Sequence, residues 1–583
     1  MQALDRREEG RERWSWPQLA TLAGLGGVAL VFIGRSSFVY RGHRYWSLFD
    51  DGMISLTYAR NLADGHGLVW VAGGQHVEGY SAFLWTLLLA LVQLLPVPER
   101  LVPLVVELVG AGLLLLNLVL VRAIALRLTQ RTWTATAAMV LVAAYYPLTF
   151  WALRGMEVSL VAVLTSAAIL MALRLAETGS TRDLRGLLIV VGLLLLTRDD
   201  CAVAAMVVVA WSVASAPRGS RGKRAAVLGL GTATVLAIHA AARVAYYGSA
   251  LPNTYYLKVS GIPWGDRLLR GSSGIVNILS LELYLPVALA VGLLVWRRGR
   301  LMPAGWLLGL LVVGQLAYSL LVGGDAWESV ELANRYVTVA APALLILAVV
   351  AIEEIVATTR SQRQRVLAPI VLIVAAVVAL RAADVRLESR LQFGRIPTEW
   401  WPTRLGVPLV ALLLLLVLAW AVIGSSDRAR TRAAGAAVIV VVLAGGVREW
   451  SYWAQHNAFQ ADSRTTSVLG LGLREATSPT AVIALAAAGG SAYFAHRPTL
   501  DLGGKSDRVI AHERPRSPIF IPGHDKYDYE YSVRDLRPDV VVPLGVTTSA
   551  DRALFVSWGY DLVGRLYVRR DSQSVDREAL ARL

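Results

Sequence analysis

The sequence predicts a polytopic α-helical membrane protein with an extracytoplasmic α/β domain at its C-terminus. Three observations carry that prediction. First, 55% of the 583 residues are hydrophobic and the mean hydropathy is +0.52, whereas a soluble domain is about 45–50% apolar even when Gly is counted. Second, the apolar residues fall into long runs separated by short arginine clusters, the pattern of membrane spans with topogenic charge. Third, from residue 448 the charge, Pro and Gly content rises and no further span is found.

The formal net charge of +15 excludes little by itself. Much of the arginine lies between apolar runs, and no basic face is interleaved with exposed aromatics, so membrane lipid rather than nucleic acid is the expected partner. The single cysteine, Cys201, lies in an apolar run, which rules out an internal disulfide and a cysteine metal site.

The elements are expected in the following order. Arg6, Arg7, Arg11 and Arg13 precede the run Leu19 to Ile33, which reads as an uncleaved first helix with a cytoplasmic N-terminus. A long outer loop, 35–100, follows. Within it 50–63 reads as a helix ended by Gly65, with Ile54, Tyr58 and Leu62 on one face. The run Tyr80 to Leu95 is shorter than the roughly 20 residues that span a bilayer. Placing it in the outer interface keeps the later basic clusters inside, so it is read as an interfacial helix. Spans are then expected at 101–121, 132–149, 157–173, 186–197, 201–215, 225–246, 275–296, 301–322, 337–352, 366–382, 405–424 and 433–447, about 13 with the first helix. The outer segment 383–404 is also basic (Arg386, Arg390, Arg395), against the charge rule. Arg198-Asp199-Asp200 divides two short apolar runs. One long helix would put three charges at mid-membrane, so two short helices meeting in a polar cavity are expected. The domains are therefore 1–447, transmembrane, and 448–583, soluble and extracytoplasmic, with β-like runs at Val482–Leu485, Val540–Val542 and Leu566–Val568. The location is the plasma (inner) membrane.

This topology collects the unusual polar motifs on the outer face. They are Asp50-Asp51, Glu78-Gly79-Tyr80, Arg154 with Glu157, Arg198-Asp199-Asp200, Pro252-Asn253-Thr254 to Lys258, and Gly323-Gly324-Asp325 with Asn334-Arg335-Tyr336. Each has a purely structural alternative. Asp50-Asp51 suits the first turn of a helix, Arg154 and Glu157 suit an i,i+3 ion pair, and Lys258 and Arg335 suit interfacial anchors. Their joint occurrence on one face is the functional signal.

Several of these motifs are similar to a family. Asp50-Asp51-Gly52 through Asn61-Leu62, Gly65-His66-Gly67, Val77-Glu78-Gly79-Tyr80 and Trp85 resemble the first outer loop of the C-type (GT-C) integral membrane glycosyltransferases. The likeness is nearest to the actinobacterial terminal β-(1→2) arabinofuranosyltransferase B group. Gly155-Met156-Glu157, Pro252-Asn253-Thr254, Gly323-Gly324-Asp325, Ile510-Ala511-His512 and Gly523-His524-Asp525-Lys526 continue the resemblance in order and rough spacing. Arg198-Asp199-Asp200 departs from the family's Arg-Pro-Glu-like element. The resemblance implies a GT-C fold and an inverting transfer of a sugar, arabinofuranose with hexose left open. The donor would be a polyprenyl-phosphate sugar and the acceptor a cell-envelope polysaccharide or glycolipid. Asp50 or Asp51 would be the general base. Arg154, Glu157, Arg198, Asn253, Lys258, Asp325 and Arg335 would bind the donor and its phosphate, and Glu78, Tyr80, His524, Asp525 and Lys526 the acceptor. A divalent cation (Mg, Mn or Ca) on Asp50 and Asp51 is an open expectation, and no nucleotide cofactor is expected, since the chain lacks a P-loop. The competing classes are a flippase or other transporter of lipid-linked sugars, which would show internal repeats, and a non-catalytic scaffold of wall assembly.

Overall fold

The computed structural model describes residues 13–281, 283–297, 303–328, 334–357, isolated positions between 367 and 454, 458–516, 520–544 and 548–583. The spans expected at 366–382, 405–424 and 433–447, and the basic segment 383–404, lie outside the described residues, apart from those isolated positions.

The membrane part opens with α1 (Trp16–Arg35), a hairpin of β1 (Ser37–Tyr40) and β2 (His43–Trp46), and the helices α2 (Asp50–Ala63) and α3 (Phe83–Gln93). It continues through α4 (Val102–Thr129), α5 (Thr132–Ala144), α6 (Tyr146–Leu153), α7 (Val158–Thr178), α8 (Thr181–Thr197), α9 (Cys201–Ala214), α10 (Arg218–Tyr247), α11 (Asn253–Lys258), α12 (Trp264–Leu281), α13 (Tyr284–Arg297), α14 (Pro303–Val322), α15 (Arg335–Thr338) and α16 (Ala341–Ala357). Among the described residues five helices are long and apolar enough to cross a membrane, or seven if two bent pairs each count as one. The protein is membrane-integral. Helix α7 is deep in the bundle, with 78% of its apolar window buried, while α10 has only 11% buried and lies at the periphery.

Two expected spans are broken, and proline explains both. The run 132–149 is the pair α5 and α6, bent by 57° at Tyr145, with Pro147 in the first turn of α6. The run 275–296 divides into α12 and α13, bent by 91°, with Pro286 in the first turn of α13. Proline fits a first turn but has no N–H to bond the carbonyl four residues before it, so a helix cannot run through it unbroken, and each apolar run ends one helix and starts another. Helix α3 has 11 residues and packs against α2, too short to span alone.

The C-terminal region holds α17 (Ala458–Ala476), β3 (Ile483–Leu485), α18 (Gly490–Ala495), β4 (Thr499–Asp501), α19 (Arg508–His512), β5 (Val540–Val542), α20 (Ser549–Ser557), β6 (Tyr560–Val563), β7 (Leu566–Arg569) and α21 (Arg577–Ala581). Its strands form one sheet in the order β4-β3-β5-β7-β6. Strand β3 is interior and parallel to both neighbours, pairing Ile483 with Thr499 and with Val540, while β7 runs antiparallel to β5 and β6. Strands β3 and β5 are apolar at every position (Ile-Ala-Leu and Val-Val-Val), as strands covered on both faces must be. The core is built by Ile483, Leu485 and Val540 on one face, packed with Ile54 and Tyr58 of α2, and by Ala484, Val541 and Phe555 on the other. The sheet region thus packs directly on the first loop of the membrane part.

Candidate active site

The first loop and the C-terminal region meet at the start of α2. Its first two residues, Asp50 and Asp51, point to different partners. The Asp50 Oδ1 accepts from the backbone N–H groups of Gly489 and Gly490, at 3.1 and 3.0 Å. Burial, partly offset by Lys505, pushes its pKa up to about 6. The fit is close: a Cβ on Gly489 would lie 2.0 Å from the Asp50 carbonyl oxygen. Gly489→Ala is therefore expected to loosen the C-terminal region from α2, costing about 1–3 kcal/mol as overpacking does. A lowered melting temperature and faster proteolysis between the two parts would show it.

Asp51 is held by cations. Its Oδ1 accepts from Lys505 Nζ and its Oδ2 from Arg335 Nη1 at 3.0 Å. Burial alone would raise the Asp51 pKa, but Lys505 and Arg335 outweigh it and keep the carboxylate ionised well below the usual range. Arg335 also makes a fork with Asp325, Nε to Oδ2 at 2.8 Å and Nη2 to Oδ1 at 3.0 Å, and lies over the Trp151 ring at 5.2 Å. The loop carrying Asp325 is fixed from below. Arg270 donates to the carbonyls of Gly323 (2.6 Å) and Asp325 (2.8 Å) and to Glu328 (2.9 Å). Lys258, at the end of α11, is only partly buried, and its ammonium has no hydrogen-bond partner among the described residues. Burial, with Arg335 close by, lowers its pKa to about 8. His524 lies edge-on to Trp327 at 5.3 Å, near Lys505 and Asp51. The crowded walls and Lys505 push its pKa down to about 4, which leaves the ring neutral at physiological pH. Phe49 meets both Trp151 (5.4 Å) and Trp327 (5.2 Å) edge-on, which makes an aromatic floor under the charges.

The cleft thus gathers Asp50, Asp51, Lys258, Asp325, Arg335 and His524 from the residues that the sequence singles out. The others lie elsewhere, and each has a physical reason. Arg154 is fully buried and donates to the Ser47 carbonyl (3.2 Å) and to Ser463 Oγ, so it joins the first loop to α17. The expected Arg154–Glu157 pair is replaced by Arg198–Glu157 at 2.6 Å. Arg198 also forks onto Asp200, at 2.5 and 2.7 Å, so one guanidinium is shared by two carboxylates, all three side chains being 6% exposed or less. The expected polar break between α8 and α9 is present, but it is a closed ion-pair network rather than an open cavity. Glu78 pairs with Arg243 (2.9 Å), which also binds Asp199, and Tyr80 bonds to Tyr247 (2.9 Å), so both side chains are engaged away from the Asp51 cluster. Asp525 accepts from the Ile521 N–H (2.7 Å), and Lys526 donates to the carbonyls of Tyr256, Ser260 and Ala511 (2.8–2.9 Å), stapling the tail to α11. Asn253 supports the site from outside, donating to the backbone that carries Lys505.

The expected cation between Asp50 and Asp51 does not fit these residues. One carboxylate is taken by backbone amides and the other by two cationic side chains, and among the described residues no group of three or more His, Cys, Asp or Glu is placed to hold a metal. Sequence reasoning missed Lys505. Its only signal was Gly503-Gly504-Lys505-Ser506, a turn-like stretch after a short strand.

A family model described as "Domain of unknown function (DUF8728)" matches residues 451–578, most of the C-terminal region. No curated protein matches the chain. Among solved structures the chain is similar to ArnT from Cupriavidus metallidurans bound to undecaprenyl phosphate. The TM-score is 0.54 at 12% identity, over 94% of this chain and 97% of that one. The apo state of the same protein gives a TM-score of 0.50 at 14% identity with the same coverage. At such identities the likeness is one of fold: the chain shares ArnT's helical membrane architecture and has a C-terminal α/β region.

Proposed function

We propose that the protein is a glycosyltransferase that takes a sugar from a polyprenyl-phosphate donor and passes it, with inversion, to a hydroxyl of a cell-envelope glycan. The observation that carries this reading is a carboxylate, Asp51, gripped by two cations beside Lys258, whose ammonium has no hydrogen-bond partner among the described residues. Transfer needs that set: a base for the acceptor hydroxyl and positive charge for the departing phosphate. The acceptor oxygen attacks the anomeric carbon as the carbon–oxygen bond to phosphate breaks through an oxocarbenium-like state. The hydroxyl proton goes to Asp51, and Lys258 and Arg335 take up the charge that develops on the phosphate. Asp50 has the more base-like pKa, with its Oδ1 held by the Gly489 and Gly490 amides rather than by a cationic side chain. Geometry takes precedence over pKa in choosing a base, and Asp51 is the one beside the cations.

The fold shared with a structure bound to undecaprenyl phosphate supports a polyprenyl-phosphate lipid. The first-loop motifs favour arabinofuranose as the sugar, with an envelope polysaccharide or glycolipid as acceptor at the outer face of the plasma membrane. The chain expected to do this is a transmembrane part, 1–447, and an extracytoplasmic domain, 448–583. The test is to offer synthetic polyprenyl-phosphoryl arabinose and hexoses, with envelope glycan fragments, to the purified protein in nanodiscs and look for extended glycan by mass spectrometry. No product from any donor, with movement of lipid-sugar across sealed vesicles, would replace this reading with a transporter.

A further inference from the structure

We propose that Lys505, carried into the cleft by the C-terminal domain, is a ligand of the donor's phosphate, with Asn253 and Asp501 as its positioning residues. The inference rests on the reading of the cleft given above and assigns a function to a region matched by a domain of unknown function. The geometry is that of a built arm. Asp501, at the end of β4, is 3% exposed and closes the loop on itself: its Oδ1 accepts from the Gly503 N–H at 2.9 Å and its Oδ2 from the Ser506 N–H at 2.6 Å. Gly504 has φ +76, and a Cβ there would lie 2.6 Å from Ile510, so the turn requires glycine. Asn253, 5% exposed, reaches across from the membrane part. Its Nδ2 donates to the carbonyls of Gly504 (2.9 Å), Lys505 (3.0 Å) and Asp507 (3.1 Å), while its own N–H donates to the Glu78 carbonyl (3.1 Å). Ser506 lies 3.3 Å from the Tyr58 hydroxyl of α2. The lysine between these anchors has one free end, and that end sits on Asp51.

A cation fixed on the base is an obstacle to catalysis unless something removes it. The donor phosphate does. A phosphodiester brings one negative charge and leaves as a monoester with two, so its oxygens compete with Asp51 for Lys505 and win more decisively as the bond breaks. Taking Lys505 away frees Asp51 Oδ1 for the acceptor hydroxyl only when a donor is in place. Lys505 is also the first of the charged groups that hold the Asp51 carboxylate ionised against its burial, so its departure makes Asp51 a stronger base.

The experiment uses the full-length protein in nanodiscs with undecaprenyl phosphate as the probe, titrated against wild type, Lys505→Met, Lys505→Arg and Asn253→Ala. Melting temperatures are recorded alongside. Lys505→Met is expected to weaken binding at least about tenfold, Lys505→Arg to restore most of it, and Asn253→Ala to give a smaller loss with Lys505 intact. In the transfer assay the acidic limb of the pH profile should move to higher pH in Lys505→Met, because Asp51 has lost a cation. Equal affinity in wild type and Lys505→Met overturns the proposal and leaves the glycosyltransferase reading standing. An equal loss in Lys505→Met and Lys505→Arg with lowered melting temperatures marks a merely structural lysine and also overturns it. A wild-type protein that does not bind undecaprenyl phosphate removes the donor reading itself, and the proposal with it.

Discussion

Asp51→Asn is expected to lower the rate of sugar transfer by about 10²–10⁴-fold, the contribution of a well-placed general base. Affinity for the lipid phosphate should stay the same or rise. The substitution removes the proton acceptor and at the same time releases Lys505 and Arg335, so binding and chemistry should part company. Arg335 keeps its fork with Asp325, which protects the fold. Asp50→Asn provides the contrast: the amide oxygen still accepts from Gly489 and Gly490, so the clamp survives and activity should fall much less. Steady-state rates and undecaprenyl phosphate titrations on both variants decide the matter. An Asp50→Asn protein as inactive as Asp51→Asn would move the base to Asp50.

The second large effect is on stability. Arg198→Met is expected to cost about 3–5 kcal/mol, the penalty for stripping the partner from buried charges. It leaves Glu157 and Asp200, both under 5% exposed, facing each other without a cation. Thermal unfolding in detergent should show a large drop, and adding Glu157→Gln and Asp200→Asn to the same chain should recover part of it. A protein that melts like wild type and loses only phosphate affinity would return Arg198 to the donor site.

These two arginines mark how far the sequence could be read. Arg335 and Arg198 look alike in it: each is a cation near an acidic residue at the end of an apolar run. Which of them reaches the cleft depends on partners such as Glu157, 41 positions before Arg198, and no local pattern reveals a distant carboxylate. The helix at 50–63 was legible to the residue, because its carboxylates, its apolar face and Gly65 all agree on its limits. The breaks at Pro147 and Pro286 were legible in principle, but the hydropathy runs straight through them. Strands β4 and β6 were not, since Thr-Leu-Asp and Tyr-Asp-Leu-Val carry too few residues for a period to show. Lys526 looked like a ligand because a lysine among tyrosines suits sugars. Its three carbonyl partners belong to the backbone, which leaves no mark on composition.

The carboxylate pair that opens α2 finds its partners 439, 440 and 454 residues further along the chain. At the roughly 5–20 residues per second of protein synthesis, that separation amounts to roughly 20–90 seconds between the emergence of Asp51 and that of Lys505. During this interval the membrane helices can insert and pack, yet the site has only part of its charge and the aromatic floor has no roof. A nascent or prematurely ended chain therefore lacks the Lys505 arm while it already lies among lipid. The site is complete only when the last fifth of the polypeptide folds back onto the first.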